Sequence, residues 1–371
     1  MMSCAPAGPC QYKMPPCVSP ASPCIDTLIV GGGLAGTLLA FELARAGQRV
    51  RIVDSGVETA SSHAAGGLMN PLTGPRLSPL PDLMDRCAAA RAHYDRLSQQ
   101  LGHPLVSALP IVRICRDARE RERAIELAHP CRGAWTDSPV ASGFTAPFGA
   151  FRIDHGWRLD LNALCSAAGR RGNAGVQVDA GAFDWRRVSA QPAPPRWCGQ
   201  RVGAVVSCEG VAALGNPFWQ GLPLQPDGGE SLILRMDLDL HEAVSAGVTL
   251  VPLGLRRYWL GATHQPGQFS SRTTVAGRTA LLRKLATQLA APSDIEVIGH
   301  RAGTRVAAPD REPLLGRHPR WPWLWIFNGL GSRGILRAPE AAEQLAARMT
   351  HGAPLANPMD VARYAIRPGA P

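Results

Sequence analysis

Three glycines, Gly31, Gly33 and Gly36, make a G-x-G-x-x-G turn between a β-branched run, Ile25–Val30 (IDTLIV), and an apolar-periodic stretch, Leu34–Ala46. Gly47 closes that stretch, and a second apolar run, Gln48–Val53 (QRVRIV), ends in Asp54. Strand, glycine turn, helix and strand therefore fall within one βαβ unit. In such a turn the glycines permit a tight bend, let the backbone approach a pyrophosphate, and bring the helix close to the strand. The helix start at Leu34 and Ala35 offers free N–H groups and the positive end of the helix dipole to phosphate. Asp54, at the end of the second strand, is placed to accept hydrogen bonds from ribose hydroxyls. The pattern predicts a dinucleotide-binding domain. It does not distinguish a nicotinamide dinucleotide from a flavin one.

The chain has 371 residues, about right for two domains that share a core. With 45% hydrophobic and 18% charged residues it has an ordinary globular balance. No apolar run approaches the roughly 20 residues of a membrane span, and the N-terminus lacks the basic start and apolar core of a secretory signal. A soluble cytoplasmic protein, without a membrane partner, is expected. The net charge of +10 raises the question of a nucleic-acid partner. All basic residues but Lys13 and Lys284 are arginines, however, and they are scattered. The densest stretch, Arg116–Glu126, alternates in sign like a solvated helix face. Charge alone does not identify a polyanion partner. The 10 cysteines form no C-x-x-C pair, and four of them (Cys4, Cys10, Cys17 and Cys24) lie in a Pro-rich leader expected to be disordered over residues 1–24. No spacing suits a metal, and none is expected.

Beyond the first unit, Ser61–Pro79 is rich in small residues and is expected to be a long irregular connection. Helices are expected over Leu83–Leu101, Ala118–Ala128 and Asp160–Arg170, with strands near Val176–Val178 and Ala204–Ser207. After Gly210, short strands recur near Ser231–Met236, Thr249–Pro252 and Arg257–Ala262 without helices between them, which predicts an antiparallel sheet in a second domain. A helix, Ala276–Ala290, follows; then come a strand at Leu324–Phe327, a glycine turn, and a helix starting near Pro339, since proline suits a first helical turn. The expected architecture is α/β, a Rossmann-type domain interleaved with an antiparallel or mixed-sheet substrate domain. The nucleotide-binding unit is read as 25–80, 151–210 and 296–350, the substrate unit as 81–150 and 211–295, and 351–371 as a C-terminal tail.

The segment LIVGGGLAGTLLAFELARAGQRVRIVD resembles the opening of the D-amino-acid-oxidase-like FAD superfamily. Residues 61–71 (SSHAAGGLMNP), 205–210 (VVSCEG), 258–263 (YWLGAT) and 299–339 extend the resemblance in the expected order, over most of the chain from Ile25 to about Met349. The resemblance implies FAD as cofactor, held non-covalently, since residues 299–339 contain no cysteine to attach it. It implies that Ser61, Ser62, Ala65, Gly66, Gly67 and Met69 pass the pyrophosphate and the isoalloxazine ring, with Gly210 close by. It places Gly329, Gly331, Ser332, Arg333, Gly334 and Ile335 at the flavin's pyrimidine edge, where a helix start and Arg333 would favour the negative charge of reduction. Arg301 matches an arginine that binds the substrate carboxylate in glycine-oxidase-like enzymes, a task suited to a permanently charged fork. Ala302 stands where that motif has proline.

What the resemblance implies for function is oxidation of the C–N bond of a small amino acid or carboxylate-bearing amine, by hydride transfer to flavin. The GSRG of residues 331–334, followed by Ala338-Pro339, and Phe151–Cys165 are also similar to the oxidase half of a bifunctional enzyme that modifies tRNA wobble uridine. A tRNA substrate is therefore a first alternative, and a partner-dependent FAD-binding subunit a second. His63 is open to a contact with the flavin ring or to a backbone-only role of its segment, His318 is read as structural, and of the alternating Trp321, Trp323 and Trp325 one face is expected in the core.

Overall fold

The computed structural model describes residues 25–56, 60–71, 82–128, 133–136, 143–169, 175–188, 195–269, 272–291 and 293–364. The leader, the segment 72–81 and the last residues of the tail lie outside the described residues.

Two sheets organise the chain. In the first, five strands run parallel in the order Leu324–Asn328, Gln200–Ser207, Ile25–Val30, Val50–Asp54, Val176–Ala180. Leu314–Arg317 extends it antiparallel beside Leu324–Asn328. Its strands are short apolar runs because layers cover both faces. On one face pack Leu34–Arg45 and Gly334–His351, with Leu38, Leu39, Leu43, Ala342 and Leu345 at 0% exposure. The other face carries Leu28, Val205, Leu324, Trp219 and the tryptophans at 321 and 323. Trp325 points to the first of these layers, so all three alternating tryptophans are buried. Trp321 and Trp323 precede the strand Leu324–Asn328 and pack on one layer, whereas Trp325 lies within the strand and faces the other, so the three do not share one strand face.

The second sheet has nine strands and is mixed. Its centre is Gln225–Met236, paired antiparallel with Arg257–Gly261 on one side and Ile295–Ala307 on the other. Thr249–Gly254, Ala243–Ser245, Ile111–Ile114 and Ala150–Ile153 continue it. The helix Val275–Ala286 covers one face, burying Leu281 and Leu285 against Leu232, Leu234 and Leu260. The opposite face looks toward the first unit. The Rossmann-type domain with a mixed-sheet substrate domain is thus the observed fold.

Several local expectations change. The strand of Arg301, expected in the nucleotide-binding unit, belongs to the second sheet. The helix Leu83–Leu101, expected in the substrate unit, packs Cys87, Ala90, Tyr94 and Leu97 among residues of Leu34–Arg45 and Gly334–His351. The stretch after residue 60 is not wholly irregular: Ser61–Ala64 is one helical turn and Leu68–Met69 a short strand. The helix expected from Ala276 to Ala290 spans Val275–Ala286. The last helix starts at Gly334, not at Pro339, which lies inside it. Proline removes the N–H that would bond the Ile335 carbonyl, and the Tyr94 hydroxyl donates to that carbonyl instead at 2.9 Å. Part of the tail is ordered into the fold: Leu315 N–H donates to Met359 O, and Val361 is fully buried.

Candidate active site

The glycine turn is built as its chemistry requires. Gly31 has φ +105°, and a methyl group there would lie 2.5 Å from the Cys208 carbonyl oxygen. At Gly36 it would lie 2.0 Å from the Gly31 carbonyl, so the helix can lie against the turn only without a side chain. Gly32, which the sequence reading passed over, leaves room for the Asp54 carboxylate: an added Cβ would be 2.6 Å from Asp54 Oδ2. Asp54 therefore sits over the turn, at the end of its strand. Thr37, also passed over, ties the turn from below by donating from Oγ1 to Gly32 O at 3.0 Å. The helix is capped by Gly33, has no acidic residue in its first turn, and offers the Leu34 N–H to Ser62 Oγ at 3.1 Å. Ala35 follows Leu34 in the first helical turn.

A second helix start lies beside the first. An added Cβ at Gly334 would be 3.6 Å from Leu34 Cδ2. Two positive helix ends thus converge on one region. The turn leading into the second is a chain of special backbone positions: Gly329 (φ +74°) and Gly331 (φ +55°) flank Leu330. Ser332 is exposed, and Arg333 and Ile335 are half-buried. Burial, together with Arg337 and Arg311 nearby, lowers the pKa of Arg333. Arg337, itself buried, pairs with Glu312. Asn328 joins this loop to Gly210: its Nδ2 donates to Gly210 O at 2.9 Å while its Oδ1 accepts from Gly329 N–H. Behind Gly31, Glu209 accepts from Trp185 Nε1, Ser207 Oγ and Asn216 Nδ2. Burial nevertheless holds its pKa above the usual carboxylate value.

The segment from Ser61 to Gly67 lies between the glycine turn and the second sheet. Ser62 faces the helix start, as above. Arg301 Nη1 donates to His63 O at 2.6 Å. Ala65 is exposed, while Gly66 and Gly67 are buried. The Met69 side chain is in the core, its sulfur 3.6 Å from Cys87 Sγ, so only its backbone is free for a cofactor. The structure brings Asp54 to Gly32, Ser62 to the Leu34 N–H, Gly334 to Leu34 and Gly210 to Asn328, with Arg301 reaching the Ser61–Gly67 segment from the second sheet. His318 is structural: it contacts Phe218 O through Nε2 and accepts the N–H groups of Arg320 and Trp321 at Nδ1.

Away from the glycine turn, Glu42, His93 and Glu343 meet where three helices pack. Arg45 pairs with Glu42 and Arg96 with Glu343, so the carboxylates are already balanced by cations. No local spacing announces this network, because its members come from three separate helices.

These features define a dinucleotide-binding oxidoreductase of two interleaved units. The family model "FAD dependent oxidoreductase" matches residues 26–348, and the chain belongs to this family. FAD is its cofactor, and the glycine turn, the helix start without an acidic residue and Asp54 fit that group. The chain is 24% identical over 362 residues to a glycine oxidase of Pseudomonas aeruginosa, covering 89% of this chain and 96% of that one. It is 28% identical over 407 residues to the tRNA 5-methylaminomethyl-2-thiouridine biosynthesis bifunctional protein MnmC of Azoarcus sp., covering 94% of this chain but only 61% of that one. A crystal structure of glycine oxidase from Geobacillus kaustophilus superposes with a TM-score of 0.75 at 24% identity, over 93% of this chain and 99% of that one. Among the described residues, no helix is long and apolar enough to cross a membrane.

Proposed function

We propose that this enzyme oxidises the C–N bond of a small amino acid or secondary amine that carries a carboxylate. The observation that carries the reading is the position of Arg301. It projects from the second sheet onto the Ser61–Gly67 segment, with one guanidinium nitrogen on His63 O. A planar fork held there can present its other nitrogens to a carboxylate. FAD, when bound, takes up the two electrons released as a C–N bond becomes an imine. The glycine turn and the helix start at Ala35 would hold its pyrophosphate, and Asp54 its ribose. Gly329, Gly331 and Gly334 let the backbone come close at the second helix start, where Arg333 adds positive charge. The protein's share is thus position and charge. We assign no general base.

A second reading is a tRNA substrate bearing a carboxymethylamino group, for which the same arginine would serve. The similarity to the MnmC protein favours it. One experiment separates the two: small amino acids, N-methyl amino acids and undermodified tRNA are added in turn to the anaerobic holoenzyme while flavin absorbance is followed. Bleaching by a small amine supports the main reading. Bleaching by tRNA alone replaces it with the second, and bleaching by none removes both.

A further inference from the structure

The four-residue helix Ser61–Ala64 is too short to satisfy its own carbonyl groups. Side chains of the second sheet supply the missing donors. Ala64 O receives Ser231 Oγ at 2.8 Å and Trp259 Nε1 at 2.8 Å, next to the Arg301 bond on His63 O. Three neighbouring strands provide these donors from one face. Ser231 lies opposite Gly261 on one side and opposite Arg301 on the other, and Trp259 is two residues before Gly261. Gly261 makes room for the indole, since an added Cβ would be 2.5 Å from the Trp259 ring. The same ring lies against Gly66, where an added Cβ would be 2.6 Å from it. Ser231 is 1% exposed, so its bond is shielded from water.

At its other end the segment is fixed to the nucleotide-binding unit by Leu34 N–H on Ser62 Oγ. The start of the helix Leu34–Arg45 and Arg301 are therefore joined through a few residues of backbone. We propose that Ser231 and Trp259 are positioning residues for the cofactor. By holding Ala64 O they fix the course of Ser61–Gly67 between the glycine turn and Arg301, and FAD binds to that preset course. Neither residue need touch the reacting atoms. The inference rests on FAD binding and not on the substrate's identity, so it is tested without turnover.

The test titrates FAD into apoprotein of the parent, Ser231→Ala, Trp259→Phe and the double variant, and follows the visible absorbance of the bound flavin. Phenylalanine keeps most of the ring contact with Gly66 and removes the donor. Each single variant leaves Ala64 O one donor and is expected to weaken FAD binding by about two- to tenfold. The double variant leaves none and should lose more than about tenfold, with a changed absorbance envelope. The rise in melting temperature on saturation with FAD should shrink in the same order. A double variant that binds FAD with the parent's Kd and spectrum overturns the proposal. So does a lower apoprotein melting temperature with Kd and spectrum unchanged, which would make the pair packing residues only. Should the Trp259 variants fail to fold, Ser231→Ala decides alone, an unchanged Kd and spectrum overturning the proposal.

Discussion

Arg301 Nη1 lies 2.6 Å from the carbonyl oxygen of His63, so the arginine proposed to receive substrate also holds the segment beside the cofactor. One guanidinium has donors enough for both tasks. Its removal therefore has two consequences, and they can be measured apart.

With Arg301→Ala, kcat/KM for a carboxylate-bearing amine is expected to fall by about 100-fold or more, the usual loss when one side of a charged hydrogen-bonded pair is deleted. Activity on the matching amine without a carboxylate should fall much less. FAD titration of the same variant should show weaker cofactor binding as well, through the lost bond to His63 O. Equal losses on both amines would mean that Arg301 acts on the segment alone.

Gly36→Ala should purify without flavin. Its methyl group would lie 2.0 Å from the Gly31 carbonyl, which is backbone and cannot swing aside. The helix must move off the turn, and Leu34 N–H moves with it. Gly47→Ala is a useful contrast, since no atom lies within 4 Å of its added Cβ; its φ of +83° strains the chain without closing the cleft. The flavin-to-protein absorbance ratio after purification reads the difference, and a fully loaded Gly36→Ala protein would refute the assignment of this turn to phosphate.

The glycine turn was legible in the sequence because its parts are local: strand, turn and helix follow one another within a few residues. Asp54 was legible for the same reason. Ser231 and Trp259 were not, because their meeting at Ala64 depends on the register of two strands and on a segment 167 and 195 residues away in sequence. Arg301 was named through a resemblance, and its bond to His63 could not be read from spacing. The boundary at Pro339 was misplaced because a local rule met a tertiary remedy, the Tyr94 hydroxyl.

That remedy is testable. Tyr94 is fully buried, and burial raises its pKa well above the usual phenol value, so it remains a donor. Tyr94→Phe keeps the ring that meets Trp157 edge-on at 5.7 Å and leaves the part-buried Ile335 O without that donor. The variant is expected to lose about 1 kcal/mol of stability, the typical net contribution of one hydrogen bond. Urea unfolding measures it. A double variant Tyr94→Phe/Pro339→Ala should recover part of the loss, because alanine restores a helical N–H to Ile335 O; no recovery would separate the tyrosine from the proline.

The pairing of Asp310 with Arg363 ties the C-terminal turn to the loop before Leu314–Arg317, at 2.8 Å. Burial alone would raise the Asp310 pKa, but bonds from Arg363 and from the Glu312 N–H outweigh it and bring it to about 2, from an ordinary 3.8. A carboxylate with a lowered folded-state pKa stabilises the fold above its unfolded value, and that contribution fades as pH falls from about 4 through about 2. Asp310 is exposed, so solvent screening keeps the effect under about 1 kcal/mol. Asp310→Asn should therefore be slightly less stable than the parent from neutral pH down to about 4, and the gap should close toward pH 2. Added salt should narrow it at neutral pH. Urea midpoints of the two proteins across this range test the pairing, and a gap of constant size at every pH would show that the aspartate acts through shape and not through charge.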